Sequence, residues 1–321
     1  MLIDALDPEL AAALKGSRPR DFAGLGIEGV RANAAERRRS ARDARTPDPR
    51  VAMIDRVTES GVLVRVYQPV ETRLGPGPAV LWFHGGGYIL GGYEDNADLL
   101  EGFVVDTGCV AVSVEYRLAP EHPFPAAIDD AYLALQWLSA HATELGVDPR
   151  RIAVAGGSAG GGLAACVALR ARDCGQPHVA LQLLMYPMLD DRATSVSSQM
   201  HTVGWTKGEN DIALEAYLGP ESERNSLTYA AAARATTLVG SPRTALLVGE
   251  LDLFRDDVIA FASRLYEAGV STDLRVVAGM PHTPDSFAPG ALLTKRFIGA
   301  VRDAFAVGIA STAGGTEGDE P

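Results

Sequence analysis

The stretch RIAVAGGSAGGGLAACVALRARD, residues 151–173, decides the fold, because an apolar run meets five glycines around one serine and then becomes helix-like. Glycine is unfavourable inside a helix, so this turn serves either to bind a phosphate or to present the serine. The phosphate interpretation is weak. The glycines at 156, 160 and 162 have the spacing of some dinucleotide-binding turns, but such turns follow the first strand of a sheet. Neither a Tyr-x-x-x-Lys pair downstream nor a Walker lysine near the turn accompanies them.

The alternative interpretation, a nucleophile elbow, agrees better with the residues on either side of the turn. The run from Gly156 to Gly160 is G-x-S-x-G, and it lies between a predicted strand and a predicted helix. A serine on such a turn has a strained backbone, and glycines two positions before and after it leave room for neighbouring backbone. The start of the helix supplies N–H groups and a positive dipole end to an oxyanion formed at Ser158. The glycines therefore favour the presentation of Ser158.

An earlier apolar run, AVLWFHGGG, ends in a histidine and three consecutive glycines at 84–87. Backbone N–H groups without side chains can approach a substrate carbonyl oxygen closely. Gly86 and Gly87 are the preferred donors of a predicted oxyanion hole, with Gly85 as a further candidate and the amide of Ala159 as the partner. His84 is predicted to hold this loop by a hydrogen bond.

A serine nucleophile needs a general base, and the base needs a carboxylate that orients it. In this architecture the acid and then the histidine follow the serine, each after a strand. The run RTALLVGELDLFRDD offers four acids, namely Glu250, Asp252, Asp256 and Asp257. Asp256 and Asp257 begin a helical pattern, where acids are expected as caps, and Glu250 lies nearer the strand end. Asp252 is therefore the candidate.

The candidate base is His282, which follows the next strand pattern in TDLRVVAGMPH. His201 is excluded by chain order, because it precedes the acids and lies in an insertion. No HExxH spacing occurs among the six histidines. The sequence therefore predicts a Ser158, Asp252 and His282 triad that works without metal or organic cofactor.

Apolar strand patterns alternate with helical patterns from about Val51 onward, which predicts an α/β fold with a mostly parallel sheet and helices on both faces. The predicted core comprises residues 51–188 and 229–307. Two segments break the alternation, residues 1–50 and 189–228, and these are predicted to form a cap or lid over the strand ends. Residues 308–321 are small and acidic, which predicts a disordered tail.

The composition of this 321-residue chain limits the classes of molecule that it is expected to bind. Its 41 acidic and 29 basic residues give a formal charge of −12, which disfavours nucleic acid and anionic membranes. The one basic run, ERRRSARDAR at 36–45, is predicted to be a solvated helix face. Three cysteines without CxxC spacing predict neither a disulfide framework nor a thiolate metal site. Without a basic leader or an apolar run near 18 residues, the sequence predicts a cytoplasmic protein.

Together these motifs resemble the hormone-sensitive lipase family of α/β-hydrolases, the bacterial family IV esterases. The resemblance rests on HGGG at 84–87, EYRLAPEHPFPAAIDD at 115–130, GGSAGG at 156–161, GELDLFRDD at 249–257 and GMPH at 279–282. It implies an α/β-hydrolase fold with a helical cap and a carboxylic ester hydrolase that acts on short acyl chains. It also implies that two copies pair through an edge strand and a late helix.

The sequence departs from that family beside two of its motifs. Gly157 stands where the family has aspartate or threonine before the serine, and Thr283-Pro284 stands where it has Gly-Phe after the histidine. Both departures bear on rate and substrate fit. Two rivals keep the same fold: a non-catalytic small-molecule receptor, which the presence of His282 opposes, and a peptidase, for which no acidic pair is evident.

Further side chains receive structural or lining roles from the sequence. Arg117, Glu121 and Asp130 are predicted to brace the core by ion pairs. The candidates for the wall of the substrate pocket are Met188, Met200, Trp205 and Tyr217.

Overall fold

The protein is described by a computed structural model over residues 5–15, 20–71, 73, 75–201, 203–220 and 227–310. Its strands are β1 Val51–Val57, β2 Leu63–Pro69, β3 Gly77–Phe83, β4 Val110–Glu115, β5 Val147–Gly157, β6 Leu181–Met185, β7 Arg243–Gly249 and β8 Thr272–Val277. Its helices are α1 Pro8–Leu14, α2 Phe22–Ala44, α3 Ala97–Thr107, α4 Ala126–Ala140, α5 Ala159–Cys174, α6 Lys207–Leu218, α7 Arg255–Glu267, α8 Pro284–Phe287 and α9 Leu292–Ala310.

The eight strands form one sheet in the order β1-β2-β4-β3-β5-β6-β7-β8. The first two pairings, β1 with β2 and β2 with β4, are antiparallel, and all the others are parallel. Every residue of β3 and β6 is buried, as expected for parallel strands covered on both faces. The predicted α/β fold with a mostly parallel sheet is thus confirmed.

Helices cover the sheet in packed pairs. Helix α3 packs against α9, and α4 packs against α5. Phe103 of α3 joins the first pair to the sheet, because its ring lies 6.3 Å from that of Trp82 in β3 and 4.8 Å from that of Phe305 in α9. Such aromatic contacts bury large apolar areas. They fix the helices against the strands that carry the site.

The segments outside the alternating pattern lie against the loops at one edge of the sheet. Arg31 of α2 donates to the carbonyl oxygens of Ile89 (2.9 Å) and Ala119 (2.7 Å). Arg20 donates to the carbonyl oxygen of Gly204 at 2.8 Å, which joins the N-terminal segment to the insertion. These contacts agree with a cap, although its boundaries at 1–50 and 189–228 stay a prediction.

The basic run at 36–45 is helical but is not simply a solvated face. Three of its arginines pair with acids that follow the glycine turn: Arg38 with Asp95, Arg42 with Glu94, and Arg45 with Asp98 and Glu101. The prediction overlooked this docking because the acids lie some 50 residues away in the sequence. At the other end, α9 continues to Ala310, three residues past the predicted core boundary, and the rest of the predicted tail lies outside the described residues.

Candidate active site

The site lies where five parallel strands end. Strands β3, β5, β6, β7 and β8 all run in the same direction, so their carboxyl ends share one edge of the sheet. The loops that follow them carry His84, Ser158, Tyr186, Asp252 and His282, in that order. Ligands of open α/β sheets bind at this edge.

Ser158 sits on the tight turn between β5 and α5. Its backbone has φ 57° and ψ −122°, a strained conformation for a residue with a side chain. A Cβ on Gly156 would lie 2.3 Å from the carbonyl oxygen of Gly160, and a Cβ on Gly160 would lie 2.0 Å from that of Phe83. Only glycine fits either position, which is the physical reason for the G-x-S-x-G spacing.

The structure brings the three predicted triad side chains into one hydrogen-bonded chain. His282 Nε2 lies 2.9 Å from Ser158 Oγ, and His282 Nδ1 lies 2.6 Å from Asp252 Oδ2. With Nδ1–H donated to the carboxylate, Nε2 carries a lone pair and accepts from the serine hydroxyl. This tautomer is assigned from the hydrogen-bond network.

All three groups are shielded from solvent, with exposed fractions of 5% for Ser158, 0% for Asp252 and 1% for His282. The second carboxylate oxygen, Oδ1 of Asp252, accepts a hydrogen bond from the backbone N–H of Phe254 at 2.9 Å. A buried carboxylate needs such donors to replace the hydrogen bonds that water would make. The arrangement can therefore hold an imidazole in one orientation and stabilise it when it gains a proton.

The alternative acids are occupied elsewhere. Glu250 accepts from the backbone N–H of Gly279 at 2.9 Å. Asp256 accepts from the backbone N–H of Ser197 at 2.8 Å. Asp257 hydrogen-bonds with the side chain of Ser195, and burial raises its pKa to about 6. The structure gives none of them a hydrogen bond to His282.

The glycine turn lies beside Ser158. A Cβ on Gly85 would come 3.4 Å from the Cβ of Ser158. Gly86 and Gly87 have φ values of 118° and 62°, which glycine adopts without strain. Within the described chain, the backbone N–H groups of Gly86 and Gly87 find no acceptor. The N–H of Ala159, at the first position of α5, has no partner inside the helix.

His84 hydrogen-bonds within the turn, in agreement with the prediction. Its Nδ1 lies 2.8 Å from the carbonyl oxygen of Gly85, and its ring stacks on Tyr116 at 4.2 Å. Tyr116 also donates to the carbonyl oxygen of His84 at 2.7 Å. Burial lowers the pKa of His84 to about 4, so its imidazole is neutral at pH 7.

Two residues of the site were missed by the sequence analysis. Tyr186, at the end of β6, places its ring edge-to-face with His282 at 4.9 Å and donates a 2.7 Å hydrogen bond to Asp285. The available signal was position, since Tyr186 directly follows a strand of the parallel sheet. Asp285 lies three residues after His282, just beyond the Thr283-Pro284 departure.

Of the remaining predictions, on ion pairs and on the pocket wall, some are confirmed and others are wrong. Arg117 and Asp130 form a 2.8 Å ion pair, as predicted, but Glu121 pairs with Arg31 of α2 rather than with the core. Trp205 lines the cavity that contains Ser158. Met188, Met200 and Tyr217 do not line it, and the ring of Tyr217 instead stacks on Tyr88 at 3.8 Å.

Ser158 and His282 open into a cavity of about 1550 Å³ that extends along α2. Over the described ranges, no group of three His, Cys, Asp or Glu side chains is placed to hold a metal ion. No helix in that part of the chain is long and apolar enough to cross a membrane.

Comparisons with known proteins agree with this geometry. Residues 80–285 match a family described by the α/β hydrolase fold. The chain is 40% identical over 229 residues to carboxylesterase NlhH of Mycobacterium tuberculosis, covering 70% of this chain and 72% of the relative. It is 31% identical over 294 residues to an ethyl acetate hydrolase of Pseudomonas putida, covering 87% and 91%.

Among solved structures, a bacterial heroin esterase superposes with a TM-score of 0.88 at 39% identity, covering 96% of this chain and 99% of the other. The predicted family is thereby confirmed. The chain belongs to the α/β hydrolase fold family, in its hormone-sensitive lipase branch of family IV carboxylesterases.

Proposed function

We propose that this enzyme hydrolyses esters of short carboxylic acids, with Ser158 as nucleophile, His282 as general acid and base, and Asp252 as the orienting carboxylate. The observation that carries the proposal is the continuous hydrogen-bonded chain from Ser158 Oγ through His282 to Asp252. The preference for short acyl groups is supported by the similarity to an ethyl acetate hydrolase.

In the first half-reaction, Ser158 Oγ attacks the ester carbonyl carbon while His282 Nε2 accepts the hydroxyl proton. Asp252 stabilises the imidazolium that forms. The backbone N–H groups of Gly86 and Gly87, with that of Ala159, face the developing oxyanion, and Gly85 is a further donor. One such donor is typically worth about 10²–10³ in rate.

The tetrahedral intermediate collapses when the bond from the carbonyl carbon to the alcohol oxygen breaks and His282 gives its proton to the departing alcohol. This leaves an acyl group on Ser158. Water then attacks the acyl carbon, His282 takes a proton from the water, and the carboxylic acid leaves as Ser158 regains its proton. The sequence of steps needs no metal or organic cofactor.

Turnover of p-nitrophenyl acetate, butyrate and octanoate by wild type and Ser158→Ala tests the proposal. Hydrolysis that decreases with acyl length in wild type and disappears in Ser158→Ala is expected. Ser139→Ala, at a half-buried serine of α4, is the matched control and should retain activity. A fluorophosphonate probe should label Ser158 alone; negligible turnover by wild type would instead favour the non-catalytic receptor.

We also propose that residues 1–50 and 189–228 form a lid over this site. Support comes from Gly204, where a Cβ would lie 2.3 Å from the carbonyl oxygen of His282, and from Gly87, where a Cβ would lie 2.7 Å from Trp205 Cζ2. The insertion thus touches both the base and the glycine turn. Removal of the N-terminal segment is expected to expose the cavity and to broaden the accepted acyl length.

A homodimer through edge strand β8 and late helix α9 is proposed from the family resemblance. Light scattering after size-exclusion chromatography tests the oligomeric state.

A cytoplasmic location is proposed from the sequence. Fractionation of cells that produce the protein tests the location. The proposed partner is a small ester, with no role for nucleic acid or membrane.

A further inference from the structure

One carboxylate beside the triad takes no part in the mechanism above. Asp285 lines the same cavity as Ser158 and His282 and is half-buried. Its Oδ1 accepts a 2.7 Å hydrogen bond from the hydroxyl of Tyr186. Within the described ranges, no other side chain donates to it, and its own backbone N–H is the one further donor. A carboxylate can accept about four hydrogen bonds, so it retains acceptor capacity for a molecule in the cavity.

No lysine or arginine in the part of the chain that the structure describes neutralises the charge of Asp285. Across the described chain, no Lys or Arg nitrogen lies within ion-pair distance of it. Lys295 lines the same cavity without pairing with it, and Arg20 is engaged by Gly204 and Glu209. Burial raises the pKa of the Asp285 carboxyl, and the hydrogen bonds from Tyr186 and from its own backbone N–H, together with the nearby His282, offset this only in part. A cation that enters the cavity would add to that compensation.

Strained backbone occurs at Tyr186, the hydrogen-bond partner of this carboxylate, and at Thr283, two residues before it. Tyr186 has φ 38° and Thr283 has φ 50°, left-handed conformations that are costly for residues with side chains. Tyr186 in turn packs its ring against His282. Strain of this kind persists only where surrounding contacts over-determine a geometry. Here those contacts hold Asp285 at a set place relative to the imidazole.

We propose that Asp285 is a specificity-determining residue that selects esters carrying a protonated amine close to the scissile bond. Its carboxylate accepts a hydrogen bond from the ammonium N–H, while Tyr186 holds Oδ1. The selection rests on the proposed function, because it acts on substrates bound for attack by Ser158. Asp285 directly follows Thr283-Pro284, where the sequence departs from the family.

A matched pair of substrates isolates this effect. 2-(Dimethylamino)ethyl acetate is protonated at nitrogen at pH 7, and 3-methylbutyl acetate has the same number of heavy atoms without charge. The measurement is the ratio of their kcat/KM values in wild type, Asp285→Asn and Asp285→Ser. The asparagine keeps an acceptor for Tyr186 and removes only the charge. Asp273→Asn is the control, because it removes an equal charge at an exposed carboxylate that pairs with Arg243 and does not line the cavity.

Wild type is expected to favour the amine ester, and both Asp285 variants are expected to lower the ratio by about tenfold, the worth of one hydrogen bond to a charged group. Asp273→Asn should leave the ratio unchanged. An equal loss of turnover on both esters would overturn the proposal and show Asp285 to be a positioning residue that acts through Tyr186. A wild type that hydrolyses p-nitrophenyl acetate but does not favour the amine ester would overturn it too. A wild type inactive on every ester would instead refute the proposed function.

Discussion

The ring of Tyr186 occupies the space in front of Gly157. A Cβ on Gly157 would lie 3.3 Å from Tyr186 Cε2 and 3.1 Å from the terminal methyl carbon of Met185. Both separations are shorter than the optimal contact between carbon atoms, so any side chain at 157 must displace a neighbour. This gives a physical reason for glycine where the family has aspartate or threonine. The residue before the nucleophile and the tyrosine after β6 form one packing unit.

Gly157→Ala is expected to lower kcat on p-nitrophenyl acetate by up to about tenfold with little change in KM. The reason is that the added methyl group pushes on Tyr186, whose ring packs against His282, and small misplacements of catalytic groups reduce rate. The control is Gly208→Ala, where a Cβ meets nothing within 4 Å.

The pairing itself can be measured with a double-mutant cycle. In a Tyr186→Leu background, the added methyl at position 157 should cost clearly less rate than in wild type, because the ring it displaces is gone. If the two substitutions reduce kcat independently, Tyr186 does not transmit the effect.

Asp252→Asn is expected to reduce kcat by about 10⁴ while KM changes little, because an amide at this position favours the wrong imidazole tautomer. The comparison variants are Glu250→Gln and Asp256→Asn, the acids that compete with Asp252 in the sequence. Each should retain kcat within a few-fold, since neither touches His282. A large loss of kcat in Glu250→Gln with an active Asp252→Asn would reverse the assignment.

The sequence sufficed for the parallel part of the sheet and for the convergence of Ser158, Asp252 and His282. The strands concerned are apolar runs bounded by turns, and the chemistry restricts their order. It did not predict β1, whose run VAMIDRV is exposed and charged in the middle, because an antiparallel edge strand need not be apolar on both faces.

Contacts between distant segments were beyond the sequence for a different reason. The arginines of α2 looked solvated because their acidic partners appear only after folding, and a charge pattern along one helix cannot show what faces it. Asp285 and Tyr186 were overlooked for the same reason, being about 100 residues apart. Met188 and Tyr217 were wrongly placed in the pocket wall, because an apolar residue near a lid is equally at home in the core.

Arg31→Lys is expected to lower the free energy of unfolding by roughly 1–2 kcal/mol and to reduce kcat. The guanidinium of Arg31 donates to the carbonyl oxygens of Ile89 and Ala119 and pairs with Glu121, and an ammonium cannot make this set of contacts. Ile89 closely follows the glycine turn. Loss of its hydrogen bond from Arg31 should therefore make the positions of the proposed oxyanion donors less fixed. Urea unfolding and turnover of p-nitrophenyl acetate measure both effects.

The control for this change is Arg39→Lys, at an exposed arginine of the same helix. It should match wild type in both measurements. Loss of stability without any loss of kcat in Arg31→Lys would show that α2 supports the fold but does not support the glycine turn.

The neutral imidazole of His84 makes the stability of the protein depend on pH. Burial lowers the pKa of His84 to about 4 in the folded protein, whereas an unfolded chain has a histidine pKa of about 6.5. Between these values the unfolded state binds the additional proton, so the free energy of unfolding decreases as pH falls from about 6.5 to about 4. Through His84 alone, the free energy of unfolding is about 2 kcal/mol smaller at pH 5 than at pH 7.5.

His84→Gln removes this titration while an amide N–H remains to donate to Gly85. The variant is expected to be less stable than wild type at pH 7.5, because it loses the ring that stacks on Tyr116. Between pH 7.5 and pH 5 its free energy of unfolding should decrease by about 2 kcal/mol less than that of wild type. Urea unfolding at both pH values measures this difference. His201→Gln, at an exposed histidine, is expected to follow the wild-type pH dependence. If the free energy of unfolding changed equally with pH in His84→Gln and wild type, the pKa of His84 would not be lowered by folding. The assignment of a neutral imidazole in the glycine turn would then be wrong.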